Sequence, residues 1–203
     1  MTGTGPDLGD GSVPPRGATQ PSGPTAPDPG TAGAWPVAQL DRVARLRVLA
    51  ESLPGTVVQE RLIDAPFGDV WGFVADLETS VPAFDRDVAR LRVVRSSGER
   101  MRVHSWVPHL PGPVPFDVDL RPGWCWMVSS PRLYVVGMAA EAAGDRTRFA
   151  HLEGLVVPGP GAARTLAAPL LRLSRRRHQR HVGRDLDGIE RGVAARRGRE
   201  GPE

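Results

Sequence analysis

Between Val57 and Glu78 the hydrophobic pattern of the chain changes period, from a β-branched run to apolar residues spaced three and four apart. Val57 to Ala65 predicts a strand. Asp64-Ala65-Pro66 predicts a helix entrance: an acidic cap followed by a proline whose missing N–H costs nothing in a first turn. Val70, Phe73, Val74 and Leu77 then form one buried stripe, with Asp69, Asp76 and Glu78 turned to water. Thr79 or Ser80 is expected to cap a second short helix, VPAFD.

From Val88 to Val157 period two dominates. Val88 to Ser96 and Glu99 to Val107 alternate and are joined by Ser97-Gly98, which predicts a hairpin. Pro108 to Pro115 is too rich in proline for a central strand. Phe116, Val118 and Leu120 alternate with Asp117, Asp119 and Arg121, and Pro122-Gly123 turns the chain into Trp124 to Val128. After Ser129-Ser130-Pro131, Arg132 to Glu141 and Thr147 to Val157 make a last pair across a Gly144-Asp145 turn. Seven strands are expected.

Val156 to Gly161 reads as a hinge, and from Arg164 the chain is predicted helical. Leu171, His178, Val182, Leu186, Ile189 and Val193 step by seven, four, four, three and four, one stripe with Ser174 or Arg175 in the gap. Gly183, Gly188 and Gly192 weaken this helix in isolation, so packing has to hold it. At the other end, Trp35 to Leu53 predicts an added helix with the stripe Leu40, Val43, Leu46, Leu49 and Leu53, closed by Pro54-Gly55. It is expected to pack on the domain or to dock a partner.

Composition changes the picture at both ends. Residues 1–34 hold 15 Gly or Pro and no aromatic residue, so a disordered tail is expected there, and a second one over 197–203. All 26 basic residues are Arg, which fits a GC-rich bacterial genome, and the net charge is +3. The excess belongs to one segment: Arg172 to Arg199 carries ten Arg against three acidic residues. That run is either a solvated helix face or a surface with transient attraction for an anionic membrane. It lacks aromatic interleaving and a helix-turn-helix pattern, so nucleic acid is not an expected partner. No basic n-region precedes an apolar h-region and no apolar run reaches membrane-spanning length, so a cytoplasmic protein is expected. The single Cys125 excludes an internal disulfide and reads as a small buried hydrophobe.

The order strand, two short helices, a run of strands and a long last helix, with IDAPFGDVW near its start and GDRTRFAHLEG before its last helix, resembles the SRPBCC superfamily of START-related lipid-transfer domains, polyketide cyclases and dehydrases, and plant pathogenesis-related proteins. The resemblance covers roughly residues 56 to 196. It implies an α+β helix-grip fold, in which a curved antiparallel sheet wraps a long C-terminal helix around an internal cavity, with the 35–53 helix as an addition. It also implies a hydrophobic small-molecule ligand, a lipid or polyketide; no cofactor is expected. Neither motif is a catalytic signature, so binding or carriage is favoured over cyclase or dehydratase chemistry. An interaction module working through the arginine-rich helix is a third reading.

Within that frame the last strand carries the candidate chemistry. Thr147, Phe149, His151, Glu153 and Leu155 share a face, and Phe149 and Leu155 argue that it is the inner one. His151 beside Glu153 is then either an acid/base pair or a hydrogen-bonded polar pair near the open end of the cavity. Trp126, Tyr134, Met138, Phe149, Leu171, His178, Val182 and Leu186 are expected to line the cavity, which a larger residue at Ala140 would fill. A metal site is not expected, since only His178 and His181 lie close together, at a three-residue helical step, and no third ligand is expected nearby. GPGAAR lacks the Lys-Ser/Thr ending of a phosphate-binding loop.

Overall fold

The alternating segments pair in strict succession. In the computed structural model, which describes residues 39–157, 159 and 161–200, seven strands form one antiparallel sheet. They are β1 (Thr56–Ile63), β2 (Arg90–Ser97), β3 (Arg100–Trp106), β4 (Val114–Arg121), β5 (Trp124–Ser129), β6 (Tyr134–Ala143) and β7 (Arg146–Leu155). The sheet order is β1-β7-β6-β5-β4-β3-β2, so only β1 departs from sequence order, crossing over to pair with β7. The helices are α1 (Arg42–Ser52), α2 (Phe67–Val74), α3 (Leu77–Phe84) and α4 (Gly161–Glu200). This is the predicted α+β helix grip. The tail expected over residues 1–34 lies outside the described residues, as do 35–38 and 201–203; the added helix, expected from Trp35, starts at Arg42 after its cap Asp41, and Leu40 is exposed rather than part of its buried stripe.

Several boundaries differ from the sequence reading. Pro66 caps α2 without a side-chain hydrogen bond, so Asp64 is not its cap. The second helix starts at Leu77 rather than after Thr79, and Ser80 sits inside it, donating to the Val74 carbonyl. The last helix begins at Gly161 and carries Pro169 within it, and it continues past 196 to Glu200.

The inner core joins Val70, Val74, Leu77 and Val81 of the short helices to Val182, Leu186, Ile189 and Val193 of α4 and to the inward face of the sheet. The glycines of α4 find their purpose here. A Cβ on Gly188 would stand 2.8 Å from the Cβ of Phe84, and one on Gly192 would stand 2.2 Å from the Phe73 ring, so both let the helix lie directly on α2 and α3.

The added helix covers the other face of the sheet. Val43 and Leu46 are fully buried against Trp124, Val135, Ala139, Ala150 and Leu152. Polar contacts ring this layer: the Asp41 carboxylate accepts from the Ala44 N–H at 2.8 Å and pairs with Arg148. Glu141 accepts from the Arg42 N–H and guanidinium at 2.8 and 3.0 Å. The Arg45 guanidinium lies 5.2 Å from the centre of the Trp124 ring.

At the far edge, β2 is exposed except for Leu91. Arg90, Arg92 and Arg95, an irregularity in pairing between Val93 and Arg95, and the Glu78 carboxylate accepting from the Val93 N–H at 2.7 Å all blunt it as a template for another strand. No helix among the described residues is long and apolar enough to cross a membrane.

Candidate functional site

Between the inner face of the sheet and the helices α3 and α4 lies a cavity of about 540 Å³. Its walls are mostly apolar, including Leu91, Phe116, Met127, Val136 and Met138. Tyr134, His151, Glu153, His178, His181 and Asp85 bring polar atoms to it. Leu110 and Leu133, about half exposed, belong to the same lining.

The pleat of β7 places His151 and Glu153 on the inward face, with 0 and 2 % of their surface exposed. His151 Nε2 stands 3.3 Å from Glu153 Oε1 and 3.6 Å from Asp185 Oδ2, yet neither ring nitrogen has a hydrogen-bond partner. The pair therefore meets as neighbouring polar groups rather than as a hydrogen-bonded couple. The Tyr134 hydroxyl donates to Glu153 Oε2 at 3.0 Å and its ring lies 5.6 Å from that of His178.

The other half of the cluster comes from α3 and α4. His181 and Asp185 are one helical turn apart, buried beside Val182 and Leu186, and Asp85 ends α3. His181 Nε2 lies 3.5 Å from Asp85 Oδ1, 3.3 Å from Glu153 Oε2 and 3.4 Å from Asp185 Oδ2. Two imidazoles and three carboxylates thus share one buried region, and among the described residues these carboxylates form ion pairs only with the two histidines.

Burial sets the electrostatics. Loss of hydration pushes the Glu153 and Asp185 carboxyls up to about 8, and it raises Asp85 as well. The neighbouring histidines oppose these shifts. Burial also holds His151 below its usual range, against the pull of Asp185 and Asp85, and lowers His178. Tyr134 is raised, by burial first and then by the charge of Glu153. Away from the cavity, burial pushes the Cys125 thiol up to about 12, which leaves it an inert hydrophobe.

Of the residues expected to line the cavity, Tyr134, Met138 and His178 do so. Trp126 does not: Cys125, Met127 and Ser129 point inward from β5, which turns Trp126 toward α1 on the opposite face. Phe149, Val182 and Leu186 are packed solid in the inner core, because the cavity spans the Leu155 end of β7 and the residues of α4 before Val182. Leu171 lines a separate small pocket with Gly55, Leu155 and Val156. Ala140 is fully buried in the packed core, so a larger side chain there would strain the core instead of filling the cavity. The expectation that His181 lacks a third ligand neighbour also fails, since Asp85 and Asp185 come within 4.8 Å of it and of one another.

Sequence reasoning missed Asp85 and Asp185, and saw His181 only as a neighbour of His178. A signal existed on α4: 178, 181, 182, 185, 186 and 189 form one continuous stripe at three- and four-residue steps. Polar residues inside an apolar stripe mark buried polar chemistry. Asp85 carried no comparable signal.

No family model matches the chain, and no curated protein matches it. Solved structures do. The Zhui aromatase/cyclase from Streptomyces sp. R1128 superposes with a TM-score of 0.53 at 17 % identity, over 70 % of this chain and 94 % of that one. TTHA0849 from Thermus thermophilus gives 0.52 at 22 %, over 69 % and 97 %. The di-domain ARO/CYC StfQ of the steffimycin biosynthetic pathway gives 0.52 at 13 %, over 77 % of this chain and 56 % of its own length. The fold they share with this chain is the helix grip. At these identities the likeness establishes the helix grip and leaves the chemistry to the residues of the site.

Proposed function

We propose that this protein binds a hydrophobic small molecule, a lipid or polyketide-like compound, inside the sheet–helix cavity, and acts as its cytoplasmic carrier. The observation that carries the reading is a cavity of about 540 Å³ whose walls are apolar while its polar groups converge on one region. This is the ordinary anatomy of a small-molecule site, which encloses roughly 300–1,000 Å³ and orients its ligand through a few placed polar groups. The apolar body of the ligand packs against Leu91, Phe116, Met127 and Val136, and a carbonyl or hydroxyl end meets Tyr134, His151, Glu153 and His181. The similarity to a protein described as an aromatase/cyclase supports the polyketide side of this ligand class.

An apolar fluorescent dye is expected to bind the folded protein at one saturable site, and Val136→Trp, which projects into the cavity, is expected to abolish that binding while leaving a cooperative melt. Undiminished dye binding in that variant would overturn the cavity reading.

A second reading, cyclase or dehydratase chemistry, is supported by the Tyr134–Glu153 hydrogen bond beside the unpartnered His151. His151→Ala and Glu153→Gln separate the two. A carrier changes affinity only, whereas acid/base catalysis falls by roughly 10²- to 10⁴-fold.

A carrier also has to meet the surface that supplies its cargo. Arg175, Arg176, Arg177 and Arg180 are exposed on α4 next to the exposed Leu170 and Leu173. Weak, salt-sensitive attraction to anionic vesicles is expected, and equal co-sedimentation with neutral vesicles would remove it.

A further inference from the structure

The buried cluster brings three carboxyl groups and two imidazoles together at separations longer than good hydrogen bonds. We propose that Asp85, His181 and Asp185 form a binding site for a divalent transition-metal cation of the zinc type, with a fourth coordination position left to a small ligand such as water.

The separations carry the argument. His181 Nε2 lies 3.3, 3.4 and 3.5 Å from oxygens of Glu153, Asp185 and Asp85. A nitrogen with one lone pair or one proton can engage one of these oxygens well, and all three are longer than the ~2.9–3.0 Å of a good N–H···O bond. The distances from His181 to Asp185 and Asp85 are close to the edge of a coordination tetrahedron, and the ligand atoms of all three residues lie within 4.8 Å of one another. With metal–ligand bonds of about 2.0–2.1 Å, tetrahedral geometry sets ligand atoms roughly 3.3–3.4 Å apart.

Unsatisfied atoms give a second, independent observation. Asp185 is 1 % exposed, and its Oδ2, the oxygen aimed at His181 Nε2, has no hydrogen-bond partner. His151, fully buried behind it, leaves both ring nitrogens unpartnered. A buried polar atom left unpaired is costly unless something absent from the chain itself completes its bonding.

The surroundings fit an ion as well. Asp87 Oδ2 faces His181 Nδ1 at 3.7 Å, the side from which a carboxylate orients a metal-bound imidazole, and the Tyr134 hydroxyl holds Glu153 at 3.0 Å. One imidazole and two carboxylates, without thiolate, suit zinc, manganese or iron(II) rather than a copper(I) site. Calcium, which takes six to eight oxygens, finds too few here. Asp85, Glu153 and His181 all line the cavity, which supplies the path by which an ion enters. The site does not depend on the identity of the cavity ligand.

The test uses the full chain, stripped with EDTA and dialysed, then titrated with zinc chloride and, separately, cobalt(II) chloride. About one equivalent of zinc by elemental analysis is expected, together with the intense visible absorption of four-coordinate cobalt(II). Asp185→Asn and His181→Gln should each weaken uptake by on the order of 100-fold or more, while the exposed His109→Ala leaves it unchanged. A cooperative thermal melt establishes that each variant is folded, and Asp85→Asn replaces either one that is not. Absence of stoichiometric uptake by the parent chain, or uptake indifferent to these substitutions, overturns the proposal. Dye binding measured on the stripped protein reports on the cavity alone, so the two readings fail separately.

Discussion

The two faces of the sheet are built to different standards. On the face covered by α1, packing is so close that a Cβ on Gly137 would stand 2.6 Å from the Leu46 side chain, and charged groups stay at the margin. On the face gripped by α4 there is a cavity of about 540 Å³, and His151, Glu153, His181, Asp85 and Asp185 are all buried. Voids forfeit dispersion contacts, and buried charges forfeit hydration. The contrast amounts to a division of labour. One face is packed without a site, whereas the other combines a packed core with a hole and unpaired polar atoms.

Substitutions on each face test this division. Leu46→Ala, in the closely packed layer, is expected to cost about 2–5 kcal/mol in urea unfolding, with dye affinity of the folded protein unchanged. A loss below about 1 kcal/mol would mean that α1 adds little and the contrast is unfounded.

The sign should reverse across the sheet. His151→Leu removes two buried nitrogens without partners and keeps an apolar side chain in their place, so it is expected to stabilise the metal-free protein by about 1–3 kcal/mol. A lowered melting temperature in EDTA would show that His151 is satisfied by the protein itself.

A smaller effect belongs to the rim of α1. Asp41→Ala removes its cap and is expected to cost about 0.5–2 kcal/mol at neutral pH. The Ala44 N–H, and after it Arg148, hold the Asp41 carboxyl below its ordinary range. A group depressed in the folded state contributes above its unfolded value and loses that contribution as pH falls through the folded one. Stability curves of parent and variant should therefore converge as pH drops below about 4. Curves that stay parallel through that range would assign the loss to helix propensity instead.

Much of the architecture was legible along the chain because its signals are local. Seven alternating runs, a glycine turn at Gly144 and the stripe from Val182 to Val193 each depend on neighbours within a few residues, and each appears where expected. The inward orientation of His151 and Glu153 was legible too, since Phe149 and Leu155 share their face. Boundaries moved where capping was inferred from residue type alone, as at Asp64 and Thr79.

What only the tertiary structure decided is of two kinds. Period two divides a strand into two faces but names the inner one only if the other is polar. With α1 covering the outer face, both sides of β5 are apolar, and the sequence left Trp126 free to be placed on the wrong one. The second kind is distance. Asp85 at the end of α3, Glu153 on β7 and the pair His181 and Asp185 on α4 are related by no local period. They meet because Gly188 lets α4 rest on Phe84 while β7 passes beneath, a contact made by packing and therefore invisible until the chain is folded.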